Sequence, residues 1–410
     1  MERHLRLAQA SREAMTSTSI IRRIFLLGQA LRQTNQTADI IDLSLGNPDL
    51  EPPEAVIKAL EVLTADRTPG RHRYMDNAGF ESVRTAVAAH MAAEQGVPVA
   101  ASSVYMTCGA AGGLHILMRM LLGPSDEVLL LAPFFVEYPT YLAVHNAVPV
   151  VVPLGQNLRP GQDTAVFVPR IEDVASRLTP RTRMIIINSP NNPSGCLYPR
   201  EFLMDLAALI KNHEALGHRP IHVVSDEPYA HLVFAGTELP PVLACVPDAW
   251  IVRSHSKDLG LAGERIGFIA WSTASDDDKV LAAMRSAARA LGFVNAPALM
   301  QRLLPHVLGA HVATDIYERR ADVFCSILSR GGCAVERPGG TFFVLPRVPP
   351  GYGDDEFCEA AAARGILIVP AAAFGAPGYF RASLTQTDDR IARAAEVLVA
   401  LAKAPPKNRS

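Results

Sequence analysis

Ser254-His255-Ser256-Lys257-Asp258-Leu259-Gly260-Leu261-Ala262-Gly263-Glu264-Arg265-Ile266-Gly267 is the stretch from which the fold can be read. A short apolar run, residues 251–254, ends in a polar loop carrying one lysine and, eight positions on, one arginine. Short apolar runs bounded by turn formers read as buried strands. The pattern recurs upstream at Glu127–Leu131, Val148–Val152, 184–188 and 222–225. Helical patterns lie between them, such as 199–212, with Phe202, Leu203, Leu206, Leu209 and Ile210 at helical spacing. Apolar strands alternating with helices predict an α/β fold: a mostly parallel sheet sandwiched by helices. In such folds ligands sit beyond the carboxyl ends of the strands.

From about residue 298 the pattern changes. A long helical stretch to about 330 precedes strand-like segments at 341–345 and 366–369. A terminal helix follows, with Thr387 as N-cap, Asp388 and Asp389 in its first turn, and Ile391, Ala395, Leu398 and Ala402 along one face. This reads as a smaller α+β domain. The division expected is residues 51–297 as the large domain, 298–410 as the small one, and 1–50 as a segment packing with the small one.

The 410 residues are 49% hydrophobic, enough for one large core or two smaller ones. Lys and Arg total 39 against 41 Asp and Glu, a net charge of −2, with no long basic block, so nucleic acid is not an expected partner. The six cysteines lie far apart without a CxxC pair. That reads as reduced, buried thiols of a cytoplasmic protein, with no disulfide framework and no metal site expected. Residues 20–31 are apolar but interrupted by Arg22 and Arg23, which predicts an amphipathic helix and not a membrane span. The Pro-containing tail from Pro405 to Ser410 reads as frayed. Asp276-Asp277-Asp278 reads as a solvated turn.

Four strand ends carry polar residues. One runs into Ser189-Pro190-Asn191-Asn192-Pro193-Ser194-Gly195, one into Asp226-Glu227-Pro228-Tyr229, and one into the lysine loop quoted above. The fourth is Thr107-Cys108-Gly109-Ala110-Ala111-Gly112-Gly113, a small-residue turn before the helical stretch 114–122. Singly, each has an ordinary reading: a turn, a helix cap, a solvated lysine. In this order, and with Gly46-Asn47-Pro48-Asp49 upstream and Phe380-Arg381 downstream, they resemble the signature set of the class I/II aminotransferases. These are pyridoxal 5'-phosphate (PLP) enzymes of fold type I, and the resemblance spans nearly the whole chain.

The resemblance implies a role for each position. Lys257 is the amine that bonds the cofactor aldehyde as a Schiff base and later moves the Cα proton. Asp226 keeps the pyridine nitrogen protonated. Asn192 and Tyr229 serve the ring's 3'-oxygen, and Phe135 stacks on the ring. Gly109, Ala110 and Ala111 at a helix start, with Ser254 and Arg265, hold the phosphate. Tyr74 reaches the phosphate of the neighbouring subunit, which makes the active site part of a homodimer. Arg381 forks the substrate carboxylate, with Gly46 and Asn192 as secondary contacts, while Ile20 and Ile21 border the substrate.

The activity implied is exchange of an α-amino group between an L-amino acid and a 2-keto acid by a ping-pong route. The same cofactor-holding set also serves enzymes of β- or γ-elimination, replacement and ring closure, so these stand as the second reading. A non-enzymatic sensor of the same fold is the remote one, and the residues before Gly46 are too few for a linker and a DNA-binding domain. The chain departs from aspartate-specific relatives at two positions. Ala111 stands where some carry Lys, and Leu291 where others carry Arg. Both departures point away from a standard dicarboxylate pocket, unless Arg71, Arg73 or Arg289 substitutes.

Overall fold

The computed structural model describes residues 40–154, 167–272 and 277–404. Ile20, Ile21, the 20–31 segment and the tail from Pro405 lie outside them. Twelve strands are described. They are β1 (Ile41–Asp42), β2 (Val104–Thr107), β3 (Glu127–Leu131), β4 (Val148–Val152), β5 (Thr182–Asn188), β6 (His222–Asp226), β7 (Trp250–Ser254), β8 (Gly267–Ala270), β9 (Phe343–Val344), β10 (Ile366–Leu367), β11 (Val369–Pro370) and β12 (Phe380–Ser383).

Seven strands form one sheet in the order β2-β8-β7-β6-β5-β3-β4. The pairs from β7 through β4 are parallel, and only β8 runs antiparallel to its neighbours. The central strands are buried on both faces, because helices cover each side. This register aligns the functional ends. Asn188 stands opposite Asp226, and Ser254 and Thr107 both stand opposite Gly267. The loops that leave β2, β5, β6 and β7, and the one that enters β8, therefore open on one edge of the sheet.

A second core gathers around β9, β11 and β12, the β1–β10 pair, and the helices Thr314–Arg330 and Asp388–Lys403. Three expected elements differ here. The stretch from 298 to 330 is two helices, Ala298–Val307 and Thr314–Arg330. The chain turns between them, where Val312 N–H donates to Asp258 O at 2.7 Å. The first of these helices packs into the large core through Met300, Leu303 and Leu304, so the changeover between cores falls at 308–313. The 366–369 segment divides into β10, paired with β1, and β11, paired with β12. The 341–345 strand shrinks to β9 because Thr341 has φ +67°, outside the strand region.

Two further readings are corrected. Asp277 is buried and no part of a solvated turn: it starts the helix Asp277–Ala290 and accepts from Ser103 Oγ at 2.6 Å and Trp271 Nε1 at 2.8 Å. Of the six free cysteines, Cys108, Cys196 and Cys333 are only half-buried. Among the described residues no helix is long and apolar enough to cross a membrane.

Candidate active site

The aligned strand ends enclose a pocket of about 220 Å³. Its lining includes Ala110, Ala111, Phe135, Asn192, Asp226, Tyr229, Ser254, Lys257 and Arg265 among the residues expected from sequence. Gly46 and Arg381 are not in the lining but are bonded to it. Lys257 Nζ donates to Gly46 O at 2.8 Å, and Arg381 Nη1 donates to Asn192 Oδ1 at 3.3 Å. Tyr74 lies apart and is 90% exposed, so it is no core aromatic.

Each group is held by the fold. Asp226 ends β6 in the interior, where Tyr138 donates its hydroxyl to Oδ2 at 2.6 Å. Asp226 Oδ1 is buried without a hydrogen-bond partner among the described residues. Burial pushes this carboxyl up to about 7; the Tyr138 bond opposes the shift and the neighbouring Glu227 adds to it. A cation at the free oxygen would bring the group back to its ionised form. Asn188 fixes the adjacent loop, its Nδ2 donating to Asp226 O at 2.7 Å and its Oδ1 accepting from Asn192 N–H at 2.7 Å. Asn191 Nδ2 donates to Pro133 O at 3.0 Å and so ties this loop to the turn that presents Phe135.

Lys257 is mostly buried. Burial lowers its amine to about 8, helped by the positive charges of Arg265 and Arg381, so roughly a tenth of it is neutral at pH 7. The hydroxyl of Tyr229 is pushed up by burial and the charge of Asp226, against Arg381 and Asn192, which favour its ionised form.

The helix Gly109–Leu121 starts at Gly109, five residues before the stretch in which helical periodicity is visible. Ala110 and Ala111 in its first turn face the pocket. Gly109 has φ +70°, and a Cβ there would stand 2.5 Å from Arg265 Nη2. Only glycine admits the guanidinium this close to the helix start. Arg265 itself has φ +53° and donates from Nη1 to Ser256 Oγ at 3.2 Å. Backbone donors, two serines and a guanidinium thus converge on one end of the pocket, a cradle for a doubly charged oxyanion.

Arg381 is 2% exposed. Its Nη2 donates to Ser44 O at 2.6 Å, its Nε has no partner among the described residues, and its guanidinium lies over the rings of Phe343 and Phe374 at 4.6 and 5.0 Å. Burial lowers even this group, to about 10. A buried guanidinium that meets carbonyls and rings, with an Nε left over, is poised for a carboxylate supplied from outside.

Sequence reasoning missed Tyr138, Tyr141, Asn188 and Ser256, all of which touch or support the pocket. Tyr138 follows Phe135 by three residues, and a buried tyrosine needs a partner for its hydroxyl; that was the available signal. Tyr138→Phe should leave Asp226 Oδ2 unpaired and cost about 1–3 kcal/mol in denaturant unfolding. An unchanged unfolding free energy would mean the bond contributes nothing.

Residues 38–398 match the family described as aminotransferase class I and II. A probable aspartate/prephenate aminotransferase of Thermus aquaticus is 31% identical, over 90% of this chain and 93% of its own. An amino transferase from Eubacterium rectale superposes with a TM-score of 0.89 at 32% identity, covering 96% of this chain and 98% of that one. Aspartate aminotransferase from Thermus thermophilus, solved with maleate, gives 0.82 at 28%, over 96% of this chain and 100% of its own. On the length of these matches and the shared fold, the chain belongs to the class I and II aminotransferases.

Proposed function

We propose that this aminotransferase works with PLP on Lys257 and exchanges the α-amino group between an L-amino acid and a 2-keto acid. The observation that carries the reading is the convergence on one pocket of a partly neutral lysine, a buried carboxylate with a free oxygen, and an oxyanion cradle. These three match the aldehyde, the ring N–H and the phosphate of PLP. When bound, PLP supplies an electron sink conjugated with the substrate Cα.

The chain's own residues do the rest. Gly109, Ala110 and Ala111 N–H groups, Ser254, Ser256 and Arg265 take the phosphate. Asp226 accepts the ring N–H, with Tyr138 holding its other oxygen in place. Phe135 packs on the ring face, and Asn192 and Tyr229 donate to the ring oxygen. Arg381 grips the substrate carboxylate and fixes Cα near Lys257. The amine of Lys257 takes the proton from Cα and, as the ammonium, is the acid that gives it back. Tyr74, exposed in the single chain, fits a role at the partner subunit's phosphate site in a homodimer. Among the described residues the lining holds no cationic side chain beyond Lys257 and Arg265, both already engaged, and Ala111 stands in it. A neutral side chain is the substrate class this favours.

Absorbance spectra with a panel of amino acids, followed by mass spectrometry of products, test the reading. Keto-acid formation with the amino group retained on the cofactor supports it. A product that has lost or exchanged a side-chain group would move the protein to the elimination and replacement reading. The neutral amine is the form that attacks an aldehyde. Protein freed of cofactor should therefore take up PLP at a rate that climbs with pH and is half-maximal near 8. Stopped-flow absorbance checks this; a midpoint above 10 would mean that Lys257 behaves as an ordinary solvated lysine.

A further inference from the structure

On the far side of β6 and β7 from the pocket, the helix Glu81–Gln95 presents His90 and Glu94 one turn apart, facing His231. His90 Nε2 lies 2.9 Å and His231 Nε2 3.0 Å from the same oxygen, Glu94 Oε1. All three atoms are within 4.8 Å of one another. Among the described residues His90 Nε2 has no aligned hydrogen-bond partner despite this proximity. Ligand atoms around a tetrahedral zinc with bonds of about 2.0–2.1 Å stand about 3.3 Å apart. Small side-chain adjustments reach that arrangement.

The surroundings also fit a cation. His231 Nδ1 bonds Asp258 Oδ2 at 2.9 Å, the carboxylate–histidine pairing that orients a metal-binding imidazole. Asp258 Oδ2 is held in turn by His255 Nδ1 at 3.1 Å. Arg253 bridges Glu94 and Glu227, its Nε donating to Glu227 Oε2 at 3.0 Å. Three carboxylates (Glu94, Glu227, Asp258) against one guanidinium leave a formal charge of −2, half of it offset by a protonated His231 whose two ring nitrogens both meet carboxylates; a divalent ion would take the place of the proton between His231 Nε2 and Glu94 Oε1. The side chains of His90 and Glu94 keep a solvent-facing edge, so an ion has a way in.

We propose that His90 Nε2, Glu94 Oε1 and His231 Nε2 form a binding site for a borderline-soft divalent cation, zinc above all, with water completing the coordination. The ion would join the helix Glu81–Gln95 to two segments that build the active site. His231 follows Tyr229 by two residues, and Asp258 follows Lys257 directly. Its role is to lock these segments, not to take part in amino-group transfer.

The PLP-loaded full chain, stripped with a chelator and dialysed, is titrated with zinc by calorimetry, with metal content measured afterwards. One zinc per chain is expected, with a higher Tm. His90→Ala, a change at a partly buried helix position, should weaken that binding at least about 100-fold while the metal-free Tm stays close to that of the wild type. Cobalt in the wild-type chain should show nitrogen and oxygen ligation without a thiolate charge-transfer band. The proposal is overturned if no zinc is retained, if His90→Ala binds as wild type does, or if cobalt reports a cysteine ligand. Should His90→Ala fold poorly, His90→Gln replaces it in the same comparison.

Discussion

Lys257→Ala should lower kcat for amino-group transfer by at least about 10,000-fold, the upper range for losing a positioned proton carrier, to which loss of the cofactor bond adds. The fold should survive. Among the described residues Lys257 makes one side-chain hydrogen bond, to Gly46 O, and burial already disfavours its charge. Below pH 8 the native chain carries a cation that burial opposes, so removing it relieves a cost while losing one bond. Circular dichroism and Tm near wild type, with turnover gone, is the expected pair of results. Residual turnover within about tenfold of wild type would remove Lys257 from the chemistry.

Arg381→Lys should lower kcat/KM for amino and keto acids alike. The charge stays, but the two-pronged grip on a carboxylate and the reach to Ser44 O are lost. Weakening one partner of a buried charged pair costs about 2–5 kcal/mol, or roughly 30- to 4,000-fold. Most of the change should appear in KM, because a carboxylate is held in the ground state and the transition state alike. Steady-state kinetics with one amino acid and its keto acid measures it. A change confined to kcat would mean that Arg381 acts on the reacting atoms and not as a carboxylate anchor.

Much of this site was legible because its parts sit next to strand ends. Asn192, Asp226, Ser254 and Lys257 each follow a recognisable apolar run, and the parallel register aligns those runs at one edge. Tyr138 was not legible, because its partnership with Asp226 exists only once β3 and β6 lie in the same sheet. Asp277 was misread because an acidic triplet carries no sign of the buried Ser103 and Trp271 that claim it. The break between the helices Ala298–Val307 and Thr314–Arg330 was hidden by helical periodicity on both sides of a tertiary contact, Val312 with Asp258. The His90, Glu94 and His231 cluster is scattered in sequence and is assembled only by packing. Of the two departures from a dicarboxylate pocket, Ala111 lines the pocket, whereas Leu291 packs with the core around β3. Arg71, Arg73 and Arg289 do not line it in the single chain.

The chain contains six lysines, Lys58, Lys211, Lys257, Lys279, Lys403 and Lys407, so the residue that carries the cofactor can be mapped without ambiguity. Borohydride reduction of the PLP-loaded protein, followed by proteolysis and mass spectrometry, makes any C=N bond to a lysine permanent. One pyridoxyl group on the peptide containing Lys257, and none elsewhere, is the result predicted. A label on another lysine, or no label after saturation with PLP, would contradict the account.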